Sequence, residues 1–240
     1  KFFSLDMIII LSHNYLYSFG GFLMLKDKVH FSNMSGKLKF LRAINTDTTT
    51  NPFCMEQKKN KKSICSFCYS WYMLETFRKN CVDAFASNSV LLSTTCLKSN
   101  NNIPFIIDAY LRINGHGELI NTLHLHNIVN IALFNPHCNI AIWTKRKDLI
   151  NKYFSEHEKP KNLILVFSNP KVNHIKKDIP KHFDKVFNNV EENNFIEEQN
   201  CTGQECYNCL QCYKFEGENI IVEKVKEDEK YQKHNLREAS

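Results

Sequence analysis

The chain reads as an α/β protein: a partial (β/α) barrel of parallel strands with a small C-terminal cysteine-rich module. Three observations predict this. Strand-like apolar runs alternate with amphipathic stretches from residue 37 onward, the pattern of repeated right-handed β–α units. The run NLILVFS over 162–168 is continuously apolar, as suits a parallel strand covered on both faces. Seven of the ten cysteines fall into two groups with two-residue spacings, which is how metal ligands are arranged.

At 240 residues the chain is long enough for one substantial core plus an appendage. Eighteen Phe against seven Gly argue for a packed protein over a disordered one. A net charge of +6 leans only slightly toward acidic partners and does not diagnose nucleic-acid binding. The apolar run over 7–25 is interrupted by Ser12, His13, Asn14 and Gly20-Gly21, so it reads neither as a membrane span nor as an export signal. Without such a signal, ten cysteines point to reduced thiols and a cytoplasmic protein with no membrane partner.

Along the chain, KLKFLRAIN over 37–45 alternates as a first strand, and polar residues lead to the first thiol group. Beyond Cys68, the residues Trp71, Leu74, Phe77 or Arg78, Cys81 and Phe85 recur at helical steps, predicting one amphipathic helix. Pro104 opens a strand over 105–113, which ends in Asn114-Gly115-His116-Gly117-Glu118. Leu125, Ile128, Val129 and Ala132 form a helical face closed by Asn135-Pro136. NIAIWT over 139–144, a helix marked by Leu149, Ile150, Tyr153 and Phe154, the strand at 162–168 and a weaker one at 183–190 complete the pattern. The expected organisation is an N-terminal extension at 1–34, the partial barrel at 35–195, a four-cysteine module at 196–222 and a charged tail at 223–240.

The thiols carry the chemistry. Cys206, Cys209 and Cys212 are spaced C-x2-C-x2-C, the tight run that wraps a 4Fe-4S cluster, and Cys201 is a fitting fourth ligand. Zinc competes, because four thiolates also close a tetrahedral site. Upstream, Cys54, Cys65 and Cys68 number only three, so a four-iron cluster there would keep one iron open; the alternative is a zinc site completed by His116 or Cys81. Cys81, Cys96 and Cys138 read as plain buried thiols. Lys58, Lys59, Lys61 and Lys62, in a loop between Cys54 and Cys65, would offset thiolate charge or dock an acidic partner, although a solvated loop explains them as well. His124 and His126 face different sides of a helix and make poor joint ligands. No phosphate loop and no nucleophile elbow is present.

Asn45-Thr46, Asn51-Pro52-Phe53-Cys54, Cys65-Ser66-Phe67-Cys68-Tyr69, the run from Leu111 through Glu118, Trp143-Thr144-Lys145 and the terminal four-cysteine run together resemble the phage gene-product 88 family. That family is itself similar to radical S-adenosylmethionine (SAM) enzymes, and the likeness spans residues 35–215. The resemblance implies a cluster on Cys54, Cys65 and Cys68, with Phe67 flanking the adenine of SAM. Ten residues separate Cys54 from Cys65, where the usual CxxxCxxC motif has three. Gly115, Gly117 and Glu118 resemble the turn that holds the methionine amino group, and Cys201, Cys206, Cys209 and Cys212 resemble an auxiliary cluster. The resemblance further implies a 5'-deoxyadenosyl radical generated with an electron from a reduced carrier of the flavodoxin or ferredoxin type, acting on a substrate not named by it, with nucleic acid one candidate. The competing expectation is a non-catalytic zinc or iron-sulfur protein that binds nucleic acid or a protein partner.

Overall fold

A computed structural model describes residues 28–98, 102–191 and 195–225. Seven strands form one sheet in the order β1-β2-β3-β4-β5-β6-β7: Ser32–Asn33, Arg42–Ile44, Tyr110–Ile113, Asn139–Thr144, Leu163–Val172, Lys185–Val190 and Ile220–Lys224. β1 pairs antiparallel with β2, and every other neighbouring pair is parallel. The protein is therefore α/β with a mostly parallel sheet. Spatial order equals chain order, so the order never reverses as it does in doubly wound folds. Among the described residues no ladder joins β7 back to β1 or β2.

Alternate residues of the strands serve different cores. Ile113, Ile140, Ile142, Leu163, Leu165 and Val186 face a large apolar layer supplied by the helices α3 (Val82–Thr94), α4 (Thr122–Phe134) and α5 (Lys147–Phe154). Ala141, Trp143, Ile164 and Val166 face a smaller layer containing Leu41, Tyr213 and the half-buried Leu210 and Cys212. Both faces of β4 and β5 are covered, which is why their sequences run apolar without alternation.

Several elements depart from the sequence reading. The strand expected over 37–45 is reduced to β2, because Gly36–Leu38 is a 3-10 turn and Phe40 takes a positive φ of 74°. The strand expected over 105–113 is likewise cut to β3. The lysine-rich spacer is not a plain loop, since helix α1 (Pro52–Lys59) takes up its first half. Its N-cap Asn51 accepts from the amides of Phe53 (3.0 Å) and Cys54 (3.3 Å), and Pro52 stands at the first helical position. The single helix expected after Cys68 is interrupted. α2 (Tyr69–Glu75) ends where Thr76 turns its hydroxyl back onto the Tyr72 carbonyl at 2.7 Å, and α3 starts afresh after the 3-10 turn Lys79–Cys81.

β7 was missed by the periodicity. The boundary expected at residue 222 falls inside it, so the cysteine module is a connection between β6 and β7 of the same sheet. The apolar run over 7–25 and most of the charged tail lie outside the described residues. Among those described, no helix is long and apolar enough to cross a membrane.

Candidate metal and cofactor site at the sheet edge

The carboxyl ends of β2, β3 and β4 meet in a polar but buried interlock. Thr46 N donates to the His116 carbonyl (3.2 Å), His116 N to Asn45 Oδ1 (2.9 Å), Gly117 N to Thr48 Oγ1 (2.9 Å) and Asn51 Nδ2 to the Glu118 carbonyl (2.9 Å). Glycine at 117 is dictated by this closeness. Its φ is +83°, and a Cβ there would lie 2.1 Å from Thr46 Oγ1 and 2.6 Å from the Thr46 carbonyl oxygen. At Gly115 a Cβ would meet Asn45 Oδ1 at 2.9 Å and Arg112 Nε at 3.4 Å.

Glu118 is buried, and its carboxylate is engaged by the chain itself. Oε1 accepts from Leu119 N (2.8 Å) and Thr144 Oγ1 (2.5 Å), and Oε2 accepts from Lys145 N (2.8 Å). Burial raises its pKa, while Lys145 and these hydrogen bonds oppose the rise. Its first task is thus to tie the β3 turn to the end of β4, with capacity left on Oε2 for a further donor.

Cys54 sits in the first turn of α1, Cys65 in the 3-10 turn Ile64–Phe67, and Cys68 at the N-cap of α2, with half-buried Phe67 just before it. Burial pushes the Cys54 thiol up, and the charges of Glu118, Cys68 and Cys65 add to the rise. Burial also raises Cys68, with Cys65 adding to it and the α2 amides of Trp71 and Ser70 opposing. The ammonium of Lys145 lies within electrostatic reach of these groups. Burial disfavours its charge, but Cys65, Glu118, Cys68 and Cys54 outweigh that and hold its pKa above the ordinary lysine value. Its Nζ also donates to Ser168 Oγ at 3.1 Å, so β4 and β5 anchor the cation. Cys54, Cys65, Cys68 and Glu118 thus all lie within electrostatic reach of Lys145. As the side chains stand, no group of three or more His, Cys, Asp or Glu among the described residues is closed around a common metal position.

His116 is turned to another task. Its Nδ1 shares a hydrogen bond with Ser70 Oγ (2.8 Å), Ser70 Oγ pairs with Thr48 Oγ1 (2.5 Å), and the ring packs on Phe85 at 5.2 Å. Burial first, then Arg78 and Arg112, lowers its pKa to about 3, so it stays neutral. Cys81 and Cys96 are half-buried, against the expectation of buried thiols, and Cys138 is fully buried. His124 is buried on α4, whereas His126 reaches Tyr153 on α5 (2.8 Å), so the two do face apart.

The second group, Cys201, Cys206, Cys209 and Cys212, is also within mutual electrostatic reach. Cys201 is held beside β7, its amide donating to the Val222 carbonyl at 3.0 Å. Helix α6 (Cys206–Cys209) carries the next two, and Leu210 at φ 53° turns the chain so that Cys212 packs inward. Comparison with protein-family models, with curated proteins and with solved structures finds no match to this chain.

Sequence reasoning singled out both thiol groups and the Gly115–Glu118 turn but missed Thr48, Ser70 and Lys145 as parts of one network. Only Lys145 offered a signal, as a cation directly following the strand that ends in Thr144.

Proposed function

We propose that this chain is an iron-sulfur protein resembling radical SAM enzymes, built on an open, partial (β/α) barrel with a C-terminal cysteine-rich cluster module. The observation that supports it most is the placement of Cys54, Cys65 and Cys68 at the carboxyl edge of a parallel sheet beside the Gly115–Glu118 turn, with Lys145 within electrostatic reach of all three. The donor chemistry fits a cluster: three soft thiolates with a half-buried cation against their charge. Cys54, Cys65 and Cys68 would hold it. A cluster held there would supply the one-electron reduction by which SAM yields a 5'-deoxyadenosyl radical, with the electron drawn from a reduced carrier.

The chain's own residues have separate duties. Lys145 offsets thiolate charge, and Ser168 fixes where that charge sits. Glu118 locks the turn, and its remaining lone pair on Oε2, with the backbone of Gly115 and Gly117, would receive the methionine amino group. Phe67 offers a ring beside Cys68 for the adenine. The covering of the sheet on both faces keeps bulk water from its interior.

Anaerobic purification with iron and sulfide analysis is expected to give iron and sulfide in equal amounts. Addition of SAM and dithionite is expected to yield 5'-deoxyadenosine, abolished by Cys65→Ala and retained in part by Cys209→Ala. An intact cluster with no 5'-deoxyadenosine would sink the enzymatic reading.

A second reading, a metal-stabilised protein that binds nucleic acid or a protein partner without turnover, is favoured by one observation. Lys59, Lys61 and Lys62 are exposed next to the first thiol group, where an acidic partner could reach them. Zinc without sulfide in the purified protein would support it.

A further inference from the structure

The sheet face that carries Ala141 and Trp143, opposite the helix layer, concentrates polar atoms around one arginine. Arg112 of β3 lies on this face, and its register partners are Ala43 on β2 and Ala141 on β4, so neither neighbouring strand crowds its side chain. The guanidinium carbon stands 3.9 Å from the centre of the Trp143 ring, and Trp143 packs at 5.5 Å on Tyr213. A Cβ at Gly115 would lie 3.4 Å from Arg112 Nε and 2.9 Å from Asn45 Oδ1, so the Asn45 amide flanks the same spot. Asn114 follows β3 with φ 61°, and its Nδ2 donates to the Trp143 carbonyl at 3.3 Å.

Each of these five side chains leaves a buried polar atom unmet among the described residues: Asn45 Nδ2, Arg112 Nε, Asn114 Oδ1, Trp143 Nε1 and the Tyr213 hydroxyl. Asn45, Asn114, Trp143 and Tyr213 are at most 7% exposed, so bulk water does not serve them. Turning the amides over does not help, because Asn45 Oδ1 is fixed by the His116 amide and Asn114 Nδ2 by the Trp143 carbonyl. The Tyr213 hydroxyl neighbours Arg112, which has only donors to offer, so the hydroxyl proton still lacks an acceptor. An unmet buried donor or acceptor costs about 1 to 3 kcal/mol, and five in one place call for an explanation. Three are pure donors, the hydroxyl can donate too, and no ion pair among the described residues includes Arg112. Such a set is complementary to an anionic oxygen group. Water can bridge neutral atoms but brings no charge to the arginine.

We propose that Asn45, Arg112, Trp143 and Tyr213 form a receptor for the carboxylate or phosphate group of a ligand on this sheet face, with Asn114 Oδ1 taking a donor of the same ligand. The inference goes beyond the iron-sulfur reading and does not depend on it, since none of these side chains is asked to hold a metal. Arg112 is half-buried, so solvent reaches part of its side chain. The Trp143 ring holds the guanidinium flat, and a flat guanidinium presents paired donors that match two oxygens of a carboxylate or phosphate. Binding makes and breaks no covalent bond.

The test uses the full chain carrying Trp71→Phe, which leaves Trp143 as its one tryptophan, and follows the indole N–H resonance of Trp143 by NMR. Inorganic phosphate and acetate are the probes, each titrated against sodium chloride at equal ionic strength. At least one of them is expected to move the resonance saturably where chloride does not; phosphate alone marks a phosphate group, and acetate alone a carboxylate. Arg112→Met is expected to weaken that binding about tenfold, and Arg112→Lys to recover only part of it, because an ammonium keeps the charge but not the paired donors. Tyr213→Phe keeps the ring and removes one donor, with an expected loss of about threefold, and gives a second reading if Arg112→Met fails to fold. A parent with no saturable shift, or a shift that Arg112→Met and Tyr213→Phe leave unchanged, would overturn the receptor. Iron and sulfide content plays no part in this readout, so failure here is distinct from failure of the iron-sulfur reading.

Discussion

Single residues at the sheet edge are set by contacts that leave little freedom. Gly117→Ala would drive a Cβ into the Thr46 backbone in a left-handed conformation, so a loss of at least about 3 kcal/mol is expected from urea unfolding. His124 gives a pH signature. It is fully buried, its Nδ1 accepts from Ile120 N, and its Nε2 finds no partner among the described residues, so burial lowers its pKa to about 4 from 6.5. The unfolded chain then binds more protons than the folded one between those values. Stability is retained above pH 6.5 and falls as pH drops toward 4, by about 2 to 3 kcal/mol from this group. His116, lowered to about 3, adds a like fall over the same window, so urea titrations at about pH 7 and about pH 4.5 should show the sum of the two, and His124→Gln should remove about half of it.

At the scale of elements, the sequence was most readable where burial is most uniform. β4 coincides with the run over 139–144, and α4 and α5 lie where their apolar faces predicted. It was least readable where a local polar bond or a left-handed turn overrides periodicity, as at Thr76, which ends α2, and at Phe40, which shortens β2. β7 hid because Ile220-Ile221-Val222 is too short a run to stand out before a charged stretch. The site divides in the same way. Cysteine spacing revealed both thiol groups, but nothing local could show that Ser70 of α2 and Thr48 after β2 meet at His116. One residue illustrates how elements are joined: Asn162, just before β5, donates to the carbonyls of Ala132 (2.9 Å), Asn135 (2.8 Å) and Cys138 (2.8 Å). The Ala132 and Asn135 carbonyls also accept from the amides of Asn135 (3.2 Å) and Cys138 (3.0 Å), so Asn162→Ala loses the shared side-chain clamp rather than every partner, and a loss of about 1 to 2 kcal/mol in chemical unfolding is expected.

For the molecule as a whole, the proposed metal reading would link metal and fold, because the C-terminal thiols lie within the connection between β6 and β7. A metal that binds only the folded chain raises its stability by mass action. The thermal midpoint should therefore rise with metal concentration and fall on chelation, and scanning calorimetry at two metal concentrations measures it. The strand order carries a different consequence, for assembly. Each strand from β2 onward pairs with the one before it in the chain, so the sheet can grow by addition at one edge without threading a strand between two already formed. Until β7 docks, the outer edge of β6 is an open row of amides and carbonyls, the kind of edge that recruits other chains. Because Cys201, Cys206, Cys209 and Cys212 precede β7, a metal captured there would shorten the search of β7 for that edge and guard the unfinished sheet against aggregation.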